Sequence, residues 1–165
     1  MVEKLQVERG DTLPDFKITN VYGDESTLQQ EMGKNGLIIF VLRGTWCPFC
    51  IHQIVATRVR YIHFQRRGVN AVFVIPEEAF KVDGFRLTVS KPLPFGLHAD
   101  EDATIADLLV GAALPGTSRK IGIYLLNRER KIVWRYVGWD NDYPSHQVVM
   151  DAIQENVSTS VSEIT

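Results

Sequence analysis

Sulfur is scarce in this chain. Of its 165 residues, two are cysteine and three are methionine. No framework of several disulfides can therefore hold it together, and no second close-spaced cysteine pair exists to complete a structural zinc site. An excess of charge of one sign is also lacking. Eighteen Lys and Arg against 20 Asp and Glu leave a formal charge of −2, which gives no electrostatic ground for nucleic acid or an anionic membrane as a partner. No window holds the roughly twenty uninterrupted apolar residues that a helical membrane span requires. The opening MVEKLQVERGD alternates charged with apolar side chains and lacks the apolar core of a signal peptide, so a cytoplasmic protein is expected. Repeats and linkers are absent too. What remains is a globular composition, 45% apolar and 23% charged. A chain of this length suits one domain, residues 1–165, with a core large enough to need no covalent staple.

Both cysteines fall in FVLRGTWCPFC, residues 40–50, as Cys47 and Cys50 directly after an apolar run. Three physical roles suit such a pair: a staple, a metal site or a redox couple. A disulfide across four residues removes only about 2 kcal/mol of unfolded-chain entropy, which is little for a core of this size. His52, His63, His98 and His146 make a mixed zinc site arithmetically available, but zinc pairs normally come with a second close-spaced pair. Covalent haem attachment needs histidine directly after Cys50, where Ile51 stands. The expectation is a redox couple with no metal and no cofactor.

Periodicity places the pair. The alternation Phe16-Lys17-Ile18-Thr19 predicts a short strand, YGDES a turn, and Ser26 or Thr27 the cap of a brief helix. GLIIFVLR, residues 36–43, predicts a strand buried on both faces. From Pro48 the period changes: Ile51, Ile54, Val55, Arg58, Val59, Ile62 and Gln65 recur at steps of three and four, predicting an amphipathic helix over 48–67 that ends at Gly68. VNAVFVIP is a second buried strand. EEAFKVDGFRLTVSK begins as a helix, LPFGLHA is extended, and DEDATIADLLVG is a helix with acids at its positive end. KIGIYLLN and KIVWRYVG flank a charged turn as a hairpin, and YPSHQVVMDAIQEN is a last helix. The segment 157–165 carries no structural signal and reads as a flexible tail. Strand–helix–strand, helix, hairpin, helix gives a single α/β sandwich around a mixed sheet.

In that arrangement Gly44-Thr45-Trp46 joins a buried strand to the first turn of a helix. Free backbone N–H groups and the helix dipole favour negative charge there. A thiol with a pKa near 8.5 is only a few per cent ionised at neutral pH, and helix starts lower it by one or more units. Cys47 thus has the setting of an attacking thiolate. Cys50 lies one turn on, on the same face, as resolving partner, and Pro48 pre-sets the first helical φ.

The stretches GDTLPDFKITNVYGDESTL and GLIIFVLRGTWCPFC, with the β-hairpin and helix that follow, resemble the thioredoxin-fold redoxins. The likeness is to their peroxiredoxin-like branch, the alkyl hydroperoxide reductase/thiol-specific antioxidant family, and covers residues 8 to about 156. It implies a thioredoxin-like fold, a central mixed sheet flanked by helices in one domain. It also implies a thiol-dependent peroxidase or reductase regenerated by an external dithiol, a thioredoxin- or glutaredoxin-like protein or a small thiol. Peroxiredoxins carry a threonine three residues before the peroxide-attacking cysteine. Here Gly44 holds that place relative to Cys47, Thr45 is two before it, and relative to Cys50 the place is held by Cys47. The family pattern therefore leaves the peroxide-attacking role divided between Cys47 and Cys50. Gly122 stands where thioredoxins carry a cis-proline, Pro115 being too early, and Arg119 matches the family's active-site arginine only if its loop bends.

Around the pair, Arg43 either stabilises the thiolate or is an ordinary strand-end arginine. Thr45 either donates toward sulfur or caps the helix, the cap being preferred. Trp46 forms an apolar wall at the site or belongs to the core, and Phe49 is expected at the surface. The arginines at 58, 60, 66 and 67 read as a solvated helix face, and Trp134 and Trp139 as strand packing. The expected function is reduction of peroxides through a Cys47/Cys50 cycle. A protein disulfide reductase using the same residues, and a non-catalytic metal-binding or interaction module, are the alternatives. A homodimer stays open.

Overall fold

A computed structural model describes residues 7–20, 22–88, 92–113, 119–139 and 144–157. Its centre is β3 (Gly36–Val41), whose six residues GLIIFV are all buried. With no polar side chain on either face, this strand can only lie between two layers. On one side it pairs in parallel with β4 (Val69–Ile75), Ile39 opposite Val72. On the other it pairs antiparallel with β6 (Ile121–Leu126), Ile39 opposite Tyr124. β5 (Gly96–Ala99) extends the sheet beside β4 and β7 (Ile132–Gly138) beside β6, giving the order β5-β4-β3-β6-β7. Asn127 closes the β6–β7 turn, its side-chain carbonyl accepting the N–H groups of Glu129 and Lys131 at 3.0 Å.

The pleat sorts side chains between the layers. Ile38, Phe40, Phe73 and Ile75 face α2 (Pro48–Arg66), α3 (Ala79–Thr88) and α5 (His146–Asn156), where Ile54, Phe64, Val82, Val149 and Ile153 complete one core. The rings of Phe40 and Phe73 stack at 4.5 Å. Leu37, Ile39, Val41, Val72 and Val74 face the other way, against α1 (Leu28–Glu31), α4 (Thr104–Val110) and the N-terminal segment through Leu13, Ile18, Leu28 and Leu109. A small hairpin of β1 (Lys17–Thr19) and β2 (Glu25–Thr27) leads into α1, which Thr27 caps in a reciprocal box with Gln30.

Three expectations change. The apolar stripe expected to bury α2 does not: Val59 and Ile62 are 66% and 50% exposed, while Cys50, Ile54, Thr57, Tyr61 and Phe64 face the sheet. Apolar residues occur on several sides of this helix, and the rings of Tyr61 and Phe64 take the core. Tyr61 adds a fixed anchor, its hydroxyl accepting the N–H of Ala71 in β4 at 3.1 Å. The α4 helix begins at Thr104 rather than at the acids before it. Asp100 is buried outside the helix and accepts the N–H groups of Ile105 and Ala106 at 3.2 and 2.8 Å, capping from behind where Ala103 offers no side-chain acceptor. Val157, expected to open the tail, is 4% exposed and packs in the core. The rest of that tail, 158–165, lies outside the described residues.

Candidate redox site

The site forms where β3 gives way to α2. Leu42 still donates to the Val74 carbonyl of β4 at 3.0 Å. Beyond it the chain turns through Arg43, Gly44, Thr45 and Trp46. A Cβ at Gly44 would lie 2.3 Å from the Trp46 indole nitrogen, so glycine is what lets that ring lie against the turn. Since β3 and β4 run in parallel, the residues after both strands share one edge of the sheet. Glu77, two residues past β4, accepts the N–H of Thr45 with its carboxylate and ties the turn to that edge.

Cys47 is the N-cap of α2 and Pro48 occupies its first turn. The cap is thus the sulfur itself and not Thr45, whose backbone is engaged by Glu77. This follows from position: the cap must stand directly before the first helical residue, and Pro48 fixes where that residue is. Cys47 Sγ accepts the N–H of Cys50 at 3.4 Å and Nη2 of Arg43 at 3.5 Å. Cys50 Sγ accepts the backbone N–H of Arg43 at 3.4 Å. Both thiols are free.

The two sulfurs are driven apart in acidity. Burial pushes the Cys47 thiol up, but hydrogen bonds from the Cys50 thiol, the Arg43 guanidinium and the Cys50 amide, with the guanidinium charge, bring it below its ordinary value. Burial pushes Cys50 up as well. Its hydrogen bond to Cys47 and the negative charge there add to that, against partial relief from the amides of Arg43 and Gly44, and it reaches about 12. One thiol is poised to ionise and its neighbour to keep its proton.

Neither sulfur touches solvent: Cys47 is 0% and Cys50 1% exposed. Their cover is thin. Trp46 is 60% exposed and Phe49 48%, Pro48 is exposed, and the Arg43 guanidinium lies over the Trp46 ring at 4.8 Å. One arginine thus contacts both the Cys47 sulfur and the Trp46 ring.

Arg43, Cys47, Pro48 and Cys50 thus converge, with Trp46 against the Arg43 guanidinium, while other expected neighbours do not join. Arg119 is engaged with the Asp107 carboxylate and the Gly111 carbonyl on α4. Gly122 lies in β6 opposite Val41, beside the strand end that feeds the site. His52 and His63 are exposed, and His98 is buried in β5 with neither ring nitrogen hydrogen-bonded. Trp139 lies outside the sheet, 46% exposed under the Lys120 ammonium. Among the described residues no three His, Cys, Asp or Glu side chains gather as metal ligands would. Glu77 is the residue that sequence reasoning missed; its signal was a pair of acids just past the proline that follows the second buried parallel strand, at the edge where the first strand ends.

Two curated relatives are 32% identical over 84 residues, the thiol-disulfide oxidoreductases ResA of Geobacillus kaustophilus and Geobacillus thermodenitrificans. The match takes in 50% of this chain and 47% of each relative, so the chain spans about half the length of the curated relatives it matches. The solved structure of peroxidoxin BcpB from Mycobacterium tuberculosis superposes with a TM-score of 0.79 at 16% identity, over 93% of this chain and 100% of that one. Peroxiredoxin Q of Xanthomonas campestris does so with 0.73 at 16% identity, over 87% and 92%. At such identities the likeness is one of fold, and the fold is thioredoxin-like. Residues 9–135, from the N-terminal segment through Cys47 and Cys50 to β7, match the AhpC/TSA family, and the chain belongs to it.

Proposed function

We propose that this protein reduces hydroperoxides through Cys47 and Cys50. The observation that carries the reading is the contrast between the sulfurs: Cys47 held as hydrogen-bond acceptor by Cys50 N–H and Arg43, its thiol lowered, and Cys50 beside it pushed up to about 12. The Cys47 thiolate attacks one oxygen of ROOH. The S–O bond forms as O–O breaks, and RO⁻ leaves and takes a proton as ROH. Arg43 is placed to stabilise the leaving oxygen's charge as it stabilises the thiolate. Cys47 is now a neutral sulfenic acid, so the negative charge that disfavoured Cys50 ionisation is gone. Cys50 then loses its proton and attacks the Cys47 sulfur, hydroxide departs as water, and a disulfide forms. An external dithiol returns both thiols by exchange and is itself oxidised.

A second reading shares the site. The sequence match to ResA and the exposed rings of Trp46 and Phe49 beside the pair favour a disulfide reductase acting on protein substrates. Mixing reduced protein with hydrogen peroxide separates the two. Under the peroxidase reading, peroxide is consumed in step with thiol loss, and Cys47→Ser abolishes this. Reduction of insulin without peroxide consumption establishes the reductase instead. Neither activity, with stoichiometric zinc bound, establishes the non-catalytic module.

A further inference from the structure

The end of α2 is basic, and Arg60 and Arg66 are exposed as a solvated face expects. Its last two turns present Arg60, His63, Arg66 and Arg67 toward Ser145 and His146 at the start of α5, and together they line a cavity of about 660 Å³. Among the described residues no carboxylate lines it, and none of these arginines enters an ion pair there. Three guanidinium groups thus share one concave surface with no counter-charge among the described residues. Asp151, one turn into α5, is occupied by the side chain of Gln147 at 2.8 Å.

Two further features bear on what fills the cavity. Ser145 accepts the N–H of Val148 at 3.4 Å, and the amides of the first turn before it have no acceptor within the helix. His146 lines the cavity with both ring nitrogens buried and without a hydrogen-bond partner. Buried polar atoms of that kind are rare unless something external completes them. Burial, with the charges of Arg60 and His52, keeps this imidazole neutral down to about pH 4, so it does not add to the repulsion among the arginines.

We propose that the cleft between the end of α2 and the start of α5 binds a small organic phosphate carrying two or more negative charges. Guanidinium forks match phosphate oxygens in pairs, and several phosphoryl charges in a compact group answer three arginines better than a single carboxylate does. The volume falls in the range of small-molecule sites and exceeds what one inorganic phosphate fills. Ten residues of helix separate Arg60 from Cys50, about 15 Å along the axis, so the cleft is distinct from the redox site.

Inorganic pyrophosphate is the probe, titrated into the full chain by calorimetry at constant ionic strength, with citrate as a multivalent carboxylate control. The expected result is saturable one-site binding at least tenfold tighter than citrate, with the ring resonances of His146 and His63 shifting along the same isotherm. Arg60→Gln with Arg66→Gln weakens it tenfold or more, Arg60→Lys with Arg66→Lys weakens it less, and thiol reactivity of Cys47 is unchanged in both. Both arginines are exposed, and a thermal melt verifies that the variants fold. No saturable binding, equal affinity for citrate, or binding indifferent to the glutamine pair overturns the proposal. So does binding that emerges only in Asp140→Asn with Asp142→Asn, since the chain's own acids ahead of Ser145 would then be the natural occupant.

Discussion

Two helices on the same face of the sheet begin in nearly the same way. At α2 the cap is Cys47, at α5 it is Ser145, both in extended backbone, and each accepts the N–H three residues on at 3.4 Å. What differs is the capping atom. A thiol can lose its proton near neutral pH and a serine hydroxyl cannot. The negative charge that a helix start favours is therefore built into α2, where one guanidinium, that of Arg43, stands by the sulfur. At α5 the capping hydroxyl stays neutral, and Arg60, Arg66 and Arg67 line the cleft beside it. Helix starts are generic anion sites; the chemistry of one side chain decides whether the anion is a nucleophile or a guest.

Cys47→Ser erases the difference from one side and has the largest expected effect. Serine is a good cap, so the melting temperature should move by no more than a few degrees, while peroxide consumption falls on the order of 10³-fold or more. Cys50→Ser leaves the attacking thiol in place, so one equivalent of peroxide is consumed and the Cys47 sulfenic acid persists long enough to trap. Equal loss of the first turnover in both variants would mean that Cys47 is not the attacking sulfur.

Acid sets the lower limit of pH at which the two helix starts can be compared. His98, buried and without a hydrogen-bond partner in β5, is held near 4, by burial foremost. The unfolded chain takes up this proton near pH 6.5 and the folded chain only near 4, so uptake between those values favours unfolding. Stability is full above pH 6.5, declines as pH falls toward 4, and is level below that; the loss from His98 is roughly 3 kcal/mol. His146 shifts in the same direction. Denaturant midpoints at pH 7 and 4.5 should differ accordingly, and His98→Gln should flatten the difference. An unchanged slope in that variant would place the acid sensitivity elsewhere.

Arg43→Gln tests the sulfur's electrostatic support. Losing the guanidinium raises the Cys47 pKa, and a rise of about one unit, about 1.4 kcal/mol, lowers the thiolate fraction at pH 7 about tenfold. Thiol alkylation followed against pH should show a displaced midpoint with an unchanged plateau. A lower plateau at high pH would instead assign Arg43 a role in the attack itself.

The strand–helix–strand order, the buried centre of the sheet, the hairpin and the position of both cysteines were all legible in the sequence, because apolar periodicity and turn residues report local structure directly. The face of α2 was not. Its apolar residues occur on several sides, and only the sheet decides that Tyr61 and Phe64 go in while Val59 and Ile62 stay out. The role of Glu77 was missed for another reason: its contact with Thr45 spans 32 positions and exists only because β3 and β4 are parallel. Likewise the arginines of α2 read as a solvated face, and only the position of α5 shows that Arg60, Arg66 and Arg67 also line a cleft. Local chemistry was readable; what two distant elements make together was not.

The smallest effect gives the sharpest form of the comparison. Ser145→Asp keeps a side-chain oxygen where the Val148 N–H needs one, so the cap survives and the added charge at the helix start contributes about 0.3–1 kcal/mol of stability. Ser145→Ala, lacking any acceptor, costs about 1 kcal/mol. The aspartate also places a fixed negative charge in the cleft, making α5 resemble α2 with its own anion in place. Pyrophosphate should then bind more weakly than to wild type even though the protein is no less stable, and Cys47 should titrate as before. If Ser145→Asp and Ser145→Ala weaken pyrophosphate equally, the hydroxyl matters as a donor to the ligand rather than through the charge of the helix start, and the parallel between the two helices ends at geometry.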